Sequence, residues 1–285
     1  MPNKFEKLEQ FQKINSAMAV CPVVKQKVMV TGLTVGDDIN IRTMITSPDV
    51  YDREISVLIY NHTEFTDLPS KPTYEDFISH ISHPDRKMLL WAIYTATYKT
   101  IKNANIKCEE CDTTFSKNID VSNLMTEDTV SIWDHDELFT NYTYEYTHNL
   151  SDELRIKIYF AIPSIKDHLD LLKDISLDTM QSNFERFDSI LSKVDELILM
   201  IRKIEIVDDS DGVDELTDTS DIRTCIDRFI PYTAQEDMSK HYNEHFEKYN
   251  PIFTYKCECS NEKCKHGISF DIDIETMLFK RFLDI

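Results

Sequence analysis

Glycine is almost missing: only Gly32, Gly36, Gly212 and Gly267 occur in 285 residues. A phosphate cradle needs several glycines at fixed spacing so that the backbone can approach closely, and neither G-x-G-x-x-G nor G-x-x-x-x-G-K-[ST] fits. G-x-S-x-G and H-E-x-x-H are absent as well, which removes the nucleophile elbow and the zinc-protease helix. Positive charge is scarce, with 31 Lys and Arg against 51 Asp and Glu and a formal net charge of −20. Affinity for phosphates needs a concentrated basic face, and so does an anionic membrane surface; neither partner is expected, nor is a small-molecule substrate. No run approaches the ~18 consecutive apolar residues of a membrane helix. The opening residues MPNKFEKLEQFQKINSAMAV lack the apolar centre of a signal peptide. The expected setting is a reducing cytoplasm.

What is present suffices for a buried core: 41% of residues are hydrophobic and 11% aromatic. Seven cysteines is an odd number, and in a reducing compartment a close cluster reads as metal before disulfide. Cys21 and Cys225 stand alone and read as small buried hydrophobes. The other five form two knuckles, Cys108-x2-Cys111 and Cys257-x-Cys259-x4-Cys264, with His266 just beyond.

The chain reads as a duplication. Asp37–Arg42 lies before Pro48 as Asp152–Lys157 lies before Pro163, and Cys111 precedes Ile119-Asp120-Val121 by the same step that takes Cys264 to Ile272-Asp273-Ile274. The expected fold is α+β, in two tandem copies of a hairpin–helices–knuckle unit. Residues 1–27 form an amphipathic arm, 28–125 the first unit and 126–285 the second, which carries a longer insertion. In the first unit VMVTGLT and INIRTMIT flank the turn VGDD; in the second YTYEYTH and LRIKIYFAI flank NLSDE, both with β-branched and aromatic residues around turn formers. Ser47-Pro48 and Thr73-x-x-Asp76 read as helix starts. Asp85–Ile101 reads as a helix with Leu90, Tyr94, Thr97, Tyr98 and Ile101 on one stripe. Leu177, Met180, Phe184, Phe187, Leu191, Val194, Ile198 and Ile201 recur at threes and fours, as a packed helix would. Val207–Asp221 carries seven acidic residues and no Lys or Arg, and reads as a solvated loop. Phe5, Leu8, Phe11 and Met18 give the arm a helical stripe, and the tail from Met277 is similarly apolar. Both ends are expected to dock, on the body or, for the arm, on a partner.

Thiolates suit Zn²⁺, and paired cysteines two to four residues apart are the usual halves of a closed tetrahedral site. Cys108 and Cys111 supply one half. Cys264 with Cys259 or Cys257 supplies the other, and a lone Cys-x2-Cys cannot close a tetrahedron, so one zinc shared between the copies is favoured. A local site from Cys257, Cys259, Cys264 and His266 is the alternative, and five reduced cysteines without metal is the plain one. No open coordination position with a nearby base is discernible, so the zinc is structural. His241-x3-His245 reads as a surface pair on a helix, His80 and His83 as capping or packing residues, and Trp91 and Trp133 as core.

Asp85-Arg86-Lys87-Met88-Leu89-Leu90, then Ile106-Lys107-Cys108-Glu109-Glu110-Cys111 and Ile119-Asp120-Val121, resembles the pattern of T-even-type bacteriophage baseplate hub and hub-assembly proteins. The segment from Tyr255-Lys256-Cys257 through Cys264 to Phe270-Asp271-Ile272-Asp273 and Leu278-Phe279 resembles their C-terminal knuckle. The likeness covers 28–124 well and 143–285 loosely. It implies a tail component or assembly factor with no catalytic residues, working through contacts with other baseplate proteins in the virion or the infected bacterial cytoplasm. A zinc-ribbon regulator contacting nucleic acid or polymerase is the competing reading, supported by Lys256, Lys263 and Lys265 and opposed by the missing basic patch.

Overall fold

Two buried clusters organise the molecule, and chain order does not separate them. The computed structural model describes residues 15–43, 48–66, 68–124, 144–151, 153–174, 193–208 and 212–274. Ser47, Trp133, the stripe from Leu177 to Leu191, the arm before Asn15 and the tail from Met277 lie outside the described residues. The architecture is α+β.

The first core begins with a sheet, β1 (Ser16–Val20), β2 (Lys27–Thr31) and β3 (Thr63–Phe65), in antiparallel order β1-β2-β3. Helices α1 (Val35–Thr43), α2 (Pro48–His62), α3 (Tyr74–His80) and α4 (His83–Tyr98) interleave with it. Two expectations are corrected here. Met18, read as part of a helical arm, lies in β1, and Ala19 and Cys21 enter the core. The segment INIRTMIT, read as the return strand of a hairpin, is largely helix α1. The reason is local: Asp37 accepts from the Thr34 amide and hydroxyl, both at 2.6 Å, while Thr34 Oγ1 accepts the Asp37 amide at 3.3 Å. What reads as a turn is a capping box, and β2 takes its partner from β1 instead. In the first of the matched segments Asp37–Arg42 is helical, whereas the described residues Leu154–Lys157 of the second are strand.

Helix α4 is the centre of this core. Ser82 caps it, with Asp85 closing a reciprocal box, and Pro84 sits in the first turn. Met88 through Tyr94 are buried without interruption, so the helix is covered on all sides rather than along the expected single stripe. It ends at Tyr98 because Lys99 turns left-handed (φ 55°), and Ile101 belongs to the next strand. Gly32 lies against this helix: a Cβ there would stand 3.0 Å from the Ala96 carbonyl oxygen and 3.2 Å from the Thr97 amide. Backbone cannot yield as a side chain can, so Gly32→Ala should cost about 1–3 kcal/mol in urea unfolding.

Beyond α4 comes the hairpin β4 (Thr100–Lys107) and β5 (Thr114–Asp120). The second core then opens with β6 (Tyr144–Asn149) and β7 (Leu154–Phe160), the expected second hairpin. Helix α5 (Ile165–Asp174) follows, then α6 (Lys193–Met200), β8 (Ile201–Asp208) and β9 (Gly212–Leu216), completing the sheet β6-β7-β8-β9. The acidic stretch read as a loop is thus in part an edge strand: β9 needs one hydrogen-bonded neighbour, and its charges face water. Ile201, read as the end of a helical stripe, opens β8. Helices α7 (Thr219–Phe229) and α8 (Tyr232–Phe246) cover one sheet face, burying Ile156, Ile158 and Phe160 against Ile226, Met238 and Tyr242.

The last hairpin, β10 (Thr254–Glu258) and β11 (Gly267–Asp271), returns to the first core. Phe253, Ile272 and Ile274 join it, as do Ile165 and Leu169 of α5. Phe253 stacks on Trp91 with ring centroids 6.0 Å apart and planes 7° apart. Trp91 Nε1 donates to the Val121 carbonyl at 3.1 Å, and Lys87 Nζ donates to Asn250 Oδ1 at 2.9 Å.

Candidate metal centre

Each cysteine pair is built by one kind of hairpin turn. After β4, the Cys108 amide donates to the Thr113 carbonyl at 3.0 Å, and Asp112 takes a left-handed φ of 55°. After β10, the Cys259 amide donates to the His266 carbonyl at 2.9 Å, and Lys265 takes φ 48°. In both turns the second cysteine, Cys111 or Cys264, immediately precedes the left-handed residue. The equivalence pairs Cys108 with Cys259 and Cys111 with Cys264. Cys257 is instead a strand residue of β10, opposite Ile268.

Because the C-terminal hairpin packs on the first core, the two turns meet. Cys108, Cys111, Cys259 and Cys264 bring their Sγ atoms within 4.8 Å of one another. Across the hairpins Cys111 lies 3.6 Å from Cys259 and Cys108 lies 3.9 Å from Cys264, Asn261 Nδ2 donates to Cys111 Sγ at 3.9 Å, and Cys111 also interacts with Cys264 and Cys108 with Cys259. A tetrahedral Zn²⁺ with Zn–S bonds of about 2.3 Å sets its sulfurs about 3.8 Å apart, so the donor set and its size fit that ion. Cys257 and the His266 ring lie outside the four-sulfur cluster; His266 takes part through its backbone carbonyl and amide.

Electrostatics around the sulfurs differ. Cys111 Sγ lies 3.2 Å from the Thr113 hydroxyl, and donation from Thr113 pulls the Cys111 thiol below its ordinary range. Cys259 Sγ accepts the Asn261 amide at 3.4 Å, yet burial and the neighbouring sulfurs push its thiol up. Cys264 is raised too: the His266 amide lowers it, but burial and the adjoining sulfurs outweigh that donor. Like charges crowded together resist ionising unless a cation joins them.

Sequence reasoning missed two related features. The β1–β2 turn has the same form: the Cys21 amide donates to the Gln26 carbonyl at 3.0 Å, and Lys25 has φ 56°. Val24 stands where a second cysteine would be, and the Val23 amide donates to Asp85 Oδ1 at 2.8 Å. Burial pushes the Asp85 carboxyl up to about 6, against donors from Ser82 and Val23. The signal was a cysteine directly after a β-rich run, as at Cys108. The second feature is a buried polar constellation. Asp52 on α2 pairs with Arg86 on α4 at 2.7 Å and accepts from His168 Nε2 on α5 at 2.7 Å. His83 packs edge-on against His168 with ring centroids 4.6 Å apart. No spacing in the sequence could announce it, since its members come from three helices.

The remaining candidates are structural. His80 Nδ1 bonds the Asp76 carbonyl at 2.7 Å, and His245 Nδ1 bonds the His241 carbonyl at 2.9 Å on α8. Trp91, Cys21 and Cys225 are buried as expected. No described helix is long and apolar enough to cross a membrane.

Comparison with known proteins gives a family match. A family model described as T4 bacteriophage base plate protein matches residues 52–277, well over half of the chain and spanning both cysteine hairpins. No curated protein and no solved structure matches.

Proposed function

The chain belongs to the family of T4 bacteriophage base plate proteins, and from that premise we propose that it is a non-catalytic part of the hub region of a contractile tail. It works through contacts with other tail proteins, and a structural zinc held by Cys108, Cys111, Cys259 and Cys264 fixes its shape. The observation that carries the zinc reading is the meeting of four sulfurs, from two hairpins some 150 residues apart, at the spacing a tetrahedral ion requires. The ion supplies charge neutralisation and a cross-link between the first core and the C-terminal hairpin. The protein supplies the turns that aim the sulfurs and the Trp91–Phe253 stack that brings the hairpins together. The 28–125 and 126–285 units remain our description of the sequence repeat, with the C-terminal knuckle of the second packed on the core of the first.

The test has two arms. Elemental analysis of freshly purified, unchelated protein should find about one zinc per chain, falling to a small fraction in Cys108→Ser or Cys264→Ser and unchanged in Cys257→Ser. Loss of zinc in Cys257→Ser with retention in Cys259→Ser would overturn the ligand set. Tagged protein co-expressed with the other baseplate genes should retain hub components on affinity purification; retention of wedge components alone would overturn the hub assignment. Random duplex DNA should not be held at physiological salt, because a net charge of −20 leaves few phosphates that could be neutralised without repulsion elsewhere. Salt-sensitive binding below micromolar would restore the zinc-ribbon reading.

A further inference from the structure

The four sulfurs are placed for more than one kind of bond. Cys111 and Cys264 are half-buried, while Cys108 and Cys259 are buried. Each of the contacts Cys111–Cys259 at 3.6 Å and Cys108–Cys264 at 3.9 Å joins the sulfur of a half-buried cysteine to that of a buried one. That is the arrangement of an attacked and a resolving thiol.

We infer that this centre has a second, covalent form, in which oxidation closes Cys111–Cys259 and Cys108–Cys264 and keeps the same joint. The inference rests on the proposed metal-holding role for the reduced form. The oxidant is a peroxide. The thiolate of the half-buried cysteine attacks one peroxide oxygen, the O–O bond breaks, and hydroxide leaves with its electron pair, giving a sulfenic acid. The buried partner thiolate then attacks that sulfur and expels a second hydroxide as the S–S bond forms. Two protons from solvent convert the hydroxides to water, so each pair loses two electrons to one hydrogen peroxide, and any ion that the four thiolates held would be released to solvent.

Pairing across the hairpins matters for the joint. A disulfide within either turn would consume two thiolates and leave the C-terminal hairpin held by packing alone. The crossed pairs instead tie residue 108 to 264 and 111 to 259, the same two turns that the reduced centre brings together. Virion surfaces belong to the oxidising class of environments in which thiols do not persist. A baseplate part with crossed pairs would keep its shape through that change without reorganising its core.

The test is disulfide mapping of the full chain after treatment with excess hydrogen peroxide, with zinc content measured beforehand. Trypsin cuts after Lys107, Lys117, Lys256, Lys263 and Lys265, and a glutamate-specific protease parts Cys108 from Cys111 and Cys257 from Cys259. The expected products are 108–109 linked to 264–265 and 111–117 linked to 259–262. The same linkages should form in Cys257→Ser, and oxidised protein should no longer lose thermal stability when a chelator is added. Links of 108–109 to 111–117, of 259–262 to 264–265, swapped cross-pairs, or sulfinic acids without links would each overturn the inference. Zinc-free protein that still forms the crossed pairs would overturn the metal reading and leave this one standing; zinc-loaded protein that pairs within its turns would do the reverse.

Discussion

Stripping the proposed zinc from the four-cysteine centre with a strong chelator should lower the melting temperature by about 10 °C or more and expose the joint between the first core and the C-terminal hairpin. Structural zinc in small domains supplies an apparent binding free energy of order 10 kcal/mol. Here the hairpin is also held by Phe253, Ile272 and Ile274 in the core and by the stack on Trp91, so the whole domain need not unfold. A loss of about 5 kcal/mol is enough for that shift in a chain this large. Hydrogen exchange should localise the effect: amides of β10, β11 and the turns after Lys107 and Glu258 should lose protection first, while β7 and β8 in the second core stay protected. Uniform loss across both cores would mean that the centre stabilises the protein globally rather than at one joint. An unchanged melting temperature, with zinc shown to have left, would remove the structural role.

The parts of this architecture that could be read from sequence are those written in local chemistry. The hairpin β6–β7 was legible because β-branched and aromatic runs flank a turn-forming cluster. Thr73 and Pro84 marked helix starts because capping and a fixed φ are properties of a few adjacent residues. The spacing of Cys108, Cys111 and Cys264 pointed to a cysteine cluster for the same reason. What could not be read is decided by partners distant in sequence. Thr34-Val35-Gly36-Asp37 is equally good as a turn and as a capping box, and only the availability of β1 as a partner for β2 decides between them. Cys259 rather than Cys257 joins the four-sulfur cluster because the residue that follows the strand and donates to the carbonyl seven positions later is Cys259. Ile201 continues a helical period perfectly well, yet it pairs with Phe160 in the sheet. Tertiary pairing outweighs a few tenths of a kcal/mol of local preference.

Arg86→Met should be the most damaging single substitution in the first core, costing about 3–5 kcal/mol, because it leaves the Asp52 carboxylate without its charge partner in a buried site. The Arg86 side chain is 3% exposed and Asp52 16%, and the guanidinium is what holds the Asp52 carboxyl far below the ordinary carboxylate range against the cost of burial. The double variant Arg86→Met/Asp52→Asn should recover much of the loss, since it removes both charges; urea unfolding of the four members of that cycle measures the coupling. The same site predicts a pH effect. Burial lowers His83 to about 3, with His168 and Arg86 adding to it, and neither His83 Nε2 nor His168 Nδ1 has a hydrogen-bond partner among the described residues. The unfolded chain protonates His83 near pH 6.5 and the folded chain does not, so its contribution falls as pH drops from about 6.5 towards 3, by up to ~1.4 kcal/mol per unit. Asp52 acts in the same sense lower down: its stabilisation is present above about pH 4 and is lost as pH falls through its depressed folded value. Asp85 acts oppositely, since its raised folded value makes the folded chain bind more protons between about pH 4 and 6. Wild-type stability should therefore change little between pH 6 and 4 and fall steeply below 4. His83→Leu removes only the first contribution, and its stability relative to wild type should improve on acidification from pH 7 to 4.5 by about 2–3 kcal/mol. A difference that does not vary with pH would show that His83 is not held neutral in the fold, and the account of this constellation would fail with it.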